Sequence, residues 1–191
     1  MFVRHGDHEE DPEQLTPTGR EQARLTAGRL AAGPAIDRIV HSTMPRAVQT
    51  AGLLAAELGL DAVRADDVLA ECVPPTPAAH LLTEQQQAWF VQHADGGAGA
   101  RQLTEAAGRY LVPAAEDTVE LVVSHANAIR WLLAAAVGAG PDAWFQQAYY
   151  HCALSAVVLR PQRQPAVLAV NDACHLPAGM RGLDHGEELQ W

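Results

Sequence analysis

The chain alternates short apolar β segments with amphipathic helical segments, and this alternation limits the possible folds more than any other feature. Its clearest buried strand runs from Thr118 to His125, and a shorter one opens the chain at Phe2 and Val3. Continuous apolar runs of this length are typical of strands that are buried on both faces of a sheet. Strands that alternate with helices predict an α/β fold, a three-layer α/β/α sandwich with a mainly parallel sheet.

Capping residues and periodicity place the other elements. Helices are predicted at about 17–32, 44–58, 81–93, 100–111, 127–137 and 141–148, and two further strands at 36–41 and 62–64. Residues 152–159 and 166–170 are predicted to pair as a terminal antiparallel hairpin across a Pro-containing turn. The segment 74–113 holds two helices around a glycine-rich turn, so it is either a small helical insertion that caps the sheet or an ordinary crossover. The polar tail from Ala178 is expected to be loose.

Length and composition favour one well-buried domain over residues 1–191, since 48% of the residues are hydrophobic. The longest apolar stretch, 129–137, contains Arg130 and falls far short of the roughly 20 residues that span a bilayer, so no membrane span is expected. Arg4 and His5 interrupt any apolar core of an N-terminal signal sequence.

The three cysteines are far apart and odd in number, which suggests reduced thiols and a cytoplasmic location.

The charge pattern argues against some partners and points to the kind of anion site the chain can build. A formal net charge of -10 gives no long-range attraction for nucleic acid or anionic lipid. The chain has no lysine and every fixed positive charge is an arginine, so an anion site here would be a local pocket that uses planar, bidentate hydrogen bonds. The acidic stretch from Asp7 to Pro12 could be a cation site or a solvated connection, and the second is typical of consecutive acidic residues.

Two histidines follow the two apolar strands that frame this pattern. His5 comes after the opening strand, and His125 ends the strand that begins at Thr118. Because parallel strands end at one edge of the sheet, these histidines would converge if the two strands are neighbours. Arg4 would join them, together with Arg46, which lies in the first turn of a helix where an arginine aimed at a bound anion is favoured. The predicted site has the size of a phosphate group.

Four motifs occur in a fixed order over nearly the whole chain. They are the triplet Arg4-His5-Gly6, the stretch 15–23, the block 41–50 and the block 124–127. Together they resemble the histidine phosphatase superfamily, also called phosphoglycerate mutase-like. The segments 72–75 and 126–144 are most similar to the phosphoglycerate mutase family member five type of protein phosphatase.

This resemblance implies a role for each matched residue of the site. His5 matches the histidine that becomes phosphorylated, so it is the expected nucleophile. Phosphoryl oxygens would be held by the matched residues Arg4, Arg46 and His125, with Gly6 and Ala126 as further phosphate contacts.

The proton donor differs between the branches of this family. One branch uses an acidic residue directly after the second histidine, and that position here is Ala126. The other branch uses a glutamate after the third strand, and Glu71 matches it. Glu71 is therefore the expected general acid and base. A carboxylic acid with a raised pKa suits this role, and the arrangement calls for no metal and no cofactor.

The chain departs from the family pattern in two places. The family usually has an asparagine a few residues past the first motif, where this loop offers only Asp11, so one phosphate contact is in question. The first strand is also shorter than usual, which suggests a trimmed start. Seven further histidines have no motif context and are interpreted as structural or surface residues: His8, His41, His80, His93, His151, His175 and His185.

The function expected from these residues is a metal-independent phosphatase that works through a phosphohistidine. Its substrate would be a phosphoprotein or a small phosphate ester, and a homodimer is a further expectation. Two alternatives stay open: a phosphoglycerate-type mutase, which shares the pocket but needs a sizeable cap, and a catalytically silent phosphoprotein-binding module.

Overall fold

A computed structural model describes residues 1–182, and a six-stranded sheet forms its centre. The strands of this sheet are β1 (Phe2–Arg4), β4 (Arg38–His41), β5 (Val63–Ala65), β6 (Glu120–Ser124), β7 (Leu154–Val158) and β8 (Ala166–Asp172). Two further strands, β2 (His8–Glu10) and β3 (Glu13–Leu15), form a separate hairpin. His185 and most of the tail predicted to be loose lie outside the described residues.

The order of the sheet is β5-β4-β6-β1-β7-β8. The first four strands in that order are parallel, whereas β7 runs antiparallel to both β1 and β8. β1 and β6 are neighbours, with Val3 beside Val123 and Arg4 beside Ser124. The mainly parallel sheet, the terminal hairpin and the adjacency of the two histidine-bearing strands are thereby confirmed.

Helices cover both faces of the sheet. They are α1 (Pro17–Ala31), α2 (Pro45–Leu58), α3 (Glu84–Gln92), α4 (Ala98–Tyr110) and α5 (Ala126–Ala136). Residues of α1 and α2 pack with Val3 and Ile39 in one buried cluster, while residues of α4 and α5 pack with Phe2 and Val40 in another. Since side chains alternate along a strand, these clusters lie on opposite faces, which confirms the three-layer sandwich. Within residues 1–182, no helix is both long and apolar enough to cross a membrane.

The segment 141–148 is not the helix that was predicted. It forms consecutive turns, with Trp144 buried and packed against Phe90. The Asp142 carboxylate accepts a hydrogen bond from the backbone of Ala78. A helix of two turns is only marginally stable by itself. Here the contacts of Trp144 and Asp142 with other parts of the chain stabilise a series of turns instead. The prediction failed because it weighed local propensity alone.

The acidic stretch after Gly6 is also more ordered than a solvated connection. It folds into the hairpin of β2 and β3, whose register pairs His8 with Leu15 and Glu10 with Glu13. Leu15 is buried, and the backbone N–H of Leu15 donates to the Gln49 side chain on α2. The hairpin is therefore attached to the helix layer next to the sheet edge where His5 lies.

Two glycines allow the loop after β1 to approach the start of α1. A Cβ atom on Gly19 would lie 1.9 Å from the carbonyl oxygen of Asp7, and one on Gly6 would lie 2.6 Å from the carbonyl oxygen of Gly19. Both contacts are with backbone, which has little room to move. The side chain of Thr16 caps α1 by accepting from the N–H of Gly19 at 3.0 Å. Because Gly6 and Gly19 have no side chains, the loop that follows His5 can pack directly against the start of α1.

We expect Gly19→Ala to destabilise the fold by at least about 1–3 kcal/mol, the usual cost of overpacking. Gly28→Ala is the matched control, because it lies in the same helix and its Cβ would meet nothing within 4 Å. That control should stabilise the chain by about 0.5–1 kcal/mol through helix propensity. Urea unfolding of both variants measures the difference, and equal midpoints would contradict the close approach.

Candidate active site

His5 lies at the carboxyl end of β1 and is only 2% exposed. Its backbone N–H donates to the carbonyl of Ser124 at 3.0 Å, so the residue is fixed to the neighbouring strand β6. The ring Nδ1 lies 2.9 Å from the carbonyl oxygen of Gly6, and the Nε of Arg46 donates to Nε2 at 3.1 Å. These partners assign the proton to Nδ1 and the lone pair to Nε2, where it accepts the hydrogen bond from Arg46. Nε2 is therefore the ring nitrogen that can act as a nucleophile when Arg46 turns to another acceptor.

Burial lowers the pKa of His5 well below its ordinary value, and the charge of Arg4 and the nearby His125 act in the same direction. The imidazole is consequently neutral at neutral pH. A neutral imidazole with its Nδ1–H bonded to a carbonyl is competent to attack an electrophile through Nε2.

Two arginines flank His5 and come from different elements. Arg4, 1% exposed at the end of β1, donates from Nη1 to the carbonyl of Tyr149. Arg46, in the first turn of α2, donates from Nη1 to the Glu13 carboxylate. Both side chains line the same cavity as His5. Two guanidinium groups that line one cavity can bind a tetrahedral oxyanion through several charge-assisted hydrogen bonds.

A single hydroxyl connects the two parts of the site that carry His5 and Arg46. The Thr50 hydroxyl accepts from the N–H of Gly6 at 3.0 Å and donates to the carbonyl of Arg46 at 2.7 Å. The N–H of Gly6 is therefore engaged within the protein. The predicted phosphate contact of Gly6 would require its N–H to give up the hydrogen bond to Thr50. What the structure shows for Gly6 is its close approach to Gly19.

His125 lies beside His5, as the neighbouring strands require. It is fully buried, its ring centroid is 5.0 Å from that of His5, and its Nε2 is 2.7 Å from the Ser42 hydroxyl. His125 also forms the N-cap of α5, whose first residue Ala126 lines the cavity. The first N–H groups of a helix have no partner within the helix, so this helix start favours an anion.

Glu71 reaches the same cavity from the segment that follows β5. Burial raises its pKa to about 7, although the charges of Arg4 and Arg46 act in the opposite direction. The backbone of this segment is held by Gln102 on α4, whose side-chain amide donates to the carbonyl of Ala70 at 2.7 Å. Near neutral pH this carboxyl group is poised between its two protonation states, as a group that both donates and accepts a proton must be.

The cavity of about 750 Å³ is much larger than a phosphate group. Its outer wall is aromatic and comes partly from the segment 74–113 and partly from the turns near residue 144. The wall residues are Trp89, Phe90, Trp144 and Phe145, with Pro74 and Arg130 beside them. The site thus combines a charged end that fits an oxyanion with an apolar wall that fits a larger organic group.

Two of the histidines that sequence reasoning set aside lie next to His5. The ring centroids of His8 and His151 are 4.9 and 5.4 Å from that of His5, and both residues line the cavity. Sequence reasoning, which interpreted them as structural or surface residues, did not predict that they lie beside His5. His8 belongs to a hairpin that was not predicted, and His151 comes from the turn before β7. Asp11, by contrast, lies at the exposed tip of the hairpin and does not line the cavity.

Curated proteins similar to this chain are protein phosphatases. This chain is 31% identical over 184 residues to the mitochondrial serine/threonine-protein phosphatase Pgam5 of Caenorhabditis elegans. The match covers 93% of this chain and 63% of that protein. The mitochondrial serine/threonine-protein phosphatase PGAM5 of Mus musculus is 33% identical over 189 residues, with the same two coverages. The chain thus spans less than two thirds of the length of the relatives it matches.

These relatives correct the expected location. Both are named as mitochondrial proteins, which points away from the plain cytoplasmic location that was predicted. The prediction depended on reduced cysteines and on the start of the chain. Reduced thiols are found in more than one compartment, so the cysteine count could not make this distinction.

Comparison with solved structures and with protein families gives the same fold. Phosphoserine phosphatase from Entamoeba histolytica, in complex with 3-phosphoglyceric acid, superposes with a TM-score of 0.69 at 20% identity, covering 92% of this chain and 98% of that one. The profile of the histidine phosphatase superfamily (branch 1) matches residues 1–173. The sandwich, the order of the motifs and this match over most of its length show that the chain belongs to the histidine phosphatase superfamily.

Proposed function

We propose that this protein is a phosphatase that hydrolyses phosphate monoesters through a phosphohistidine on His5, without a metal ion. One observation carries the proposal: a neutral His5 presents Nε2 to a cavity that also holds two arginines and a carboxyl group whose pKa is about 7. Phosphoryl transfer needs positioning and stabilisation of charge on the equatorial oxygens, and arginines supply both.

In the first step, Nε2 of His5 attacks phosphorus and the bond between phosphorus and the ester oxygen breaks. Arg4, Arg46 and His125 hold the phosphoryl oxygens, and the N–H of Ala126 at the start of α5 adds a further donor. Glu71 gives its proton to the departing oxygen, so the alcohol leaves neutral. The products of this step are the free alcohol, a phosphohistidine and the Glu71 carboxylate.

In the second step, water attacks the phosphohistidine. The Glu71 carboxylate takes a proton from that water, the bond between nitrogen and phosphorus breaks, and inorganic phosphate leaves. Glu71 and His5 return to their starting states. A pKa near 7 supports this cycle because the same group must release and recover a proton at neutral pH.

The substrate is proposed to be a phosphoprotein, because the similar curated proteins are named serine/threonine-protein phosphatases. The aromatic wall supports a substrate with an organic part larger than a sugar acid. The segment 74–113, within one domain, is proposed to act as a cap over this part. A mutase would have to retain its product for the return transfer, and the two short helices α3 and α4 form a modest cover for that purpose.

A catalytically silent binding module is the remaining alternative. It would hold phosphate between Arg4 and Arg46 without turnover. The raised pKa of Glu71 argues against it, because a buried carboxyl group beside an anion site weakens simple phosphate binding and is useful in proton transfer.

His5→Ala should reduce hydrolysis of para-nitrophenyl phosphate by at least about 10³-fold, because the attacking atom is removed. The fold should persist, as judged by circular dichroism, since the side chain lies at the end of a strand. His80→Ala, at an exposed position, is the control and should keep full turnover. Substantial turnover by purified His5→Ala would show that another group is the nucleophile.

Glu71→Gln should slow hydrolysis of a phosphoserine peptide by about 10²–10⁴-fold, the usual contribution of a general acid. Formation of the phosphohistidine from para-nitrophenyl phosphate should suffer less, because its phenolate leaves without protonation. Single-turnover burst kinetics separate this step from hydrolysis of the intermediate. Equal slowing with both leaving groups would place the proton donor elsewhere.

The raised pKa of Glu71 also has a consequence for stability. The carboxyl group stabilises the folded state fully below about pH 4.5, and this contribution is lost as the pH rises through the folded pKa of about 7. Relative to wild type, Glu71→Gln should therefore gain free energy of unfolding between about pH 5 and pH 8. Glu116→Gln, at an exposed position, is the control. Denaturant titrations across this range test the shift, and a difference that does not vary with pH would contradict it.

A further inference from the structure

His5, His8 and His151 form a compact cluster, called here the histidine triad. One ring nitrogen from each residue lies within 4.8 Å of the others. The three residues come from separate places in the chain: the end of β1, the strand β2 and the turn before β7. In the phosphatase cycle proposed above, only His5 has a role, so the other two histidines need a different explanation.

The geometry points to a binding site for a divalent transition-metal ion such as Zn²⁺ on the histidine triad, and we propose that the bound ion blocks the nucleophile. Zinc prefers imidazole nitrogens, and three protein ligands leave a fourth position for water. Mg²⁺ prefers oxygen ligands and would not compete for such a site. The blocking effect rests on the proposed role of His5, whereas the metal site itself does not.

The distances suit a site that closes around the ion. Two nitrogens bound to one tetrahedral zinc lie about 3.3 Å apart, given bond lengths of about 2.0–2.1 Å. The triad must therefore contract by about 1.5 Å at most. His5 and His151 are each 2% exposed and are held in the core, whereas His8 is partly exposed on the hairpin. Because it is the most exposed of the three, His8 has the most room to move toward the ion.

A carboxylate lies where it would orient one of the ligands. The Oδ1 of Asp7 is 3.9 Å from the Nδ1 of His151. Carboxylates behind metal-binding histidines fix the ring and its tautomer, and they increase the basicity of the opposite nitrogen. Asp7 is itself held by the Thr16 hydroxyl, which donates to its Oδ2 at 2.6 Å. At 3.9 Å Asp7 is close to His151 but beyond hydrogen-bond distance, so it would have to move about 1 Å closer to support the ring.

The local charge also permits a cation despite the neighbouring arginines. Asp7, Glu10 and Glu13 line the same cavity, and Glu13 forms an ion pair with Arg46. The Nδ1 of His5 is engaged by the Gly6 carbonyl, so Nε2 is the nitrogen that can bind a metal ion once it gives up the hydrogen bond from Arg46. Because the metal would take the Nε2 that attacks phosphorus, metal and phosphate compete for the site.

The experiment uses the whole chain after treatment with EDTA, followed by calorimetric titration with ZnCl₂. We expect one zinc ion per chain, visible d–d absorption when Co²⁺ replaces zinc, and no binding of Mg²⁺. His8→Gln and His151→Gln should each weaken zinc binding by at least about 10-fold, and Asp7→Asn by about 10–100-fold. His80→Gln, remote from the triad in sequence and exposed, is the control and should bind zinc like wild type.

Zinc should inhibit hydrolysis of para-nitrophenyl phosphate in competition with inorganic phosphate, and EDTA should restore full turnover. The proposal is overturned if wild type does not bind zinc, or if folded His8→Gln binds it as tightly as wild type. His8 is partly exposed, so this variant decides the matter even if His151→Gln does not fold. A requirement for added metal in turnover would instead overturn the proposed function, since binding is measured without any substrate.

Discussion

The parallel pairing of β1 with β6 is the constraint on which the site depends. It sets Arg4 beside Ser124, so the next residues, His5 and His125, emerge next to each other. Because Phe2 and Val3 are buried in clusters on opposite faces, a shift of one residue would exchange those faces. The packing of both side chains and the hydrogen bond from the His5 N–H to the Ser124 carbonyl hold this register, and the register brings the two histidines together.

Burial then determines the protonation states that the chemistry uses. The same removal of water lowers the pKa of His5 and raises the pKa of Glu71, so both groups favour the neutral form. Arg4 is as buried as His5 but keeps its charge, because a guanidinium group remains protonated in proteins. A neutral nucleophile and a neutral acid beside a permanent cation follow from one physical cause.

Sequence reasoning found most of the fold because the strands and long helices carry strong local patterns. It placed His5, Arg4, Arg46, His125 and Glu71 at one site because motif order and strand ends agree. In the structure four of these residues line one cavity, and His125 is buried beside His5. It missed His8 and His151, whose position depends on a hairpin and on a turn. Neither element has a strong periodic signal, and their contacts with His5 are tertiary. The turns near Trp144 were missed for the same reason.

The contrast between Thr50 and Gln102 has a dynamic consequence. Thr50 joins the Gly6 N–H to the carbonyl of Arg46, so the backbone that follows His5 is tied to the backbone of Arg46. The backbone next to Glu71 is held instead by Gln102, which lies on α4 within the cap segment. A displacement of α4 would therefore pull on the backbone next to Glu71 through this one amide, while the Thr50 hydroxyl keeps the backbones of Gly6 and Arg46 together.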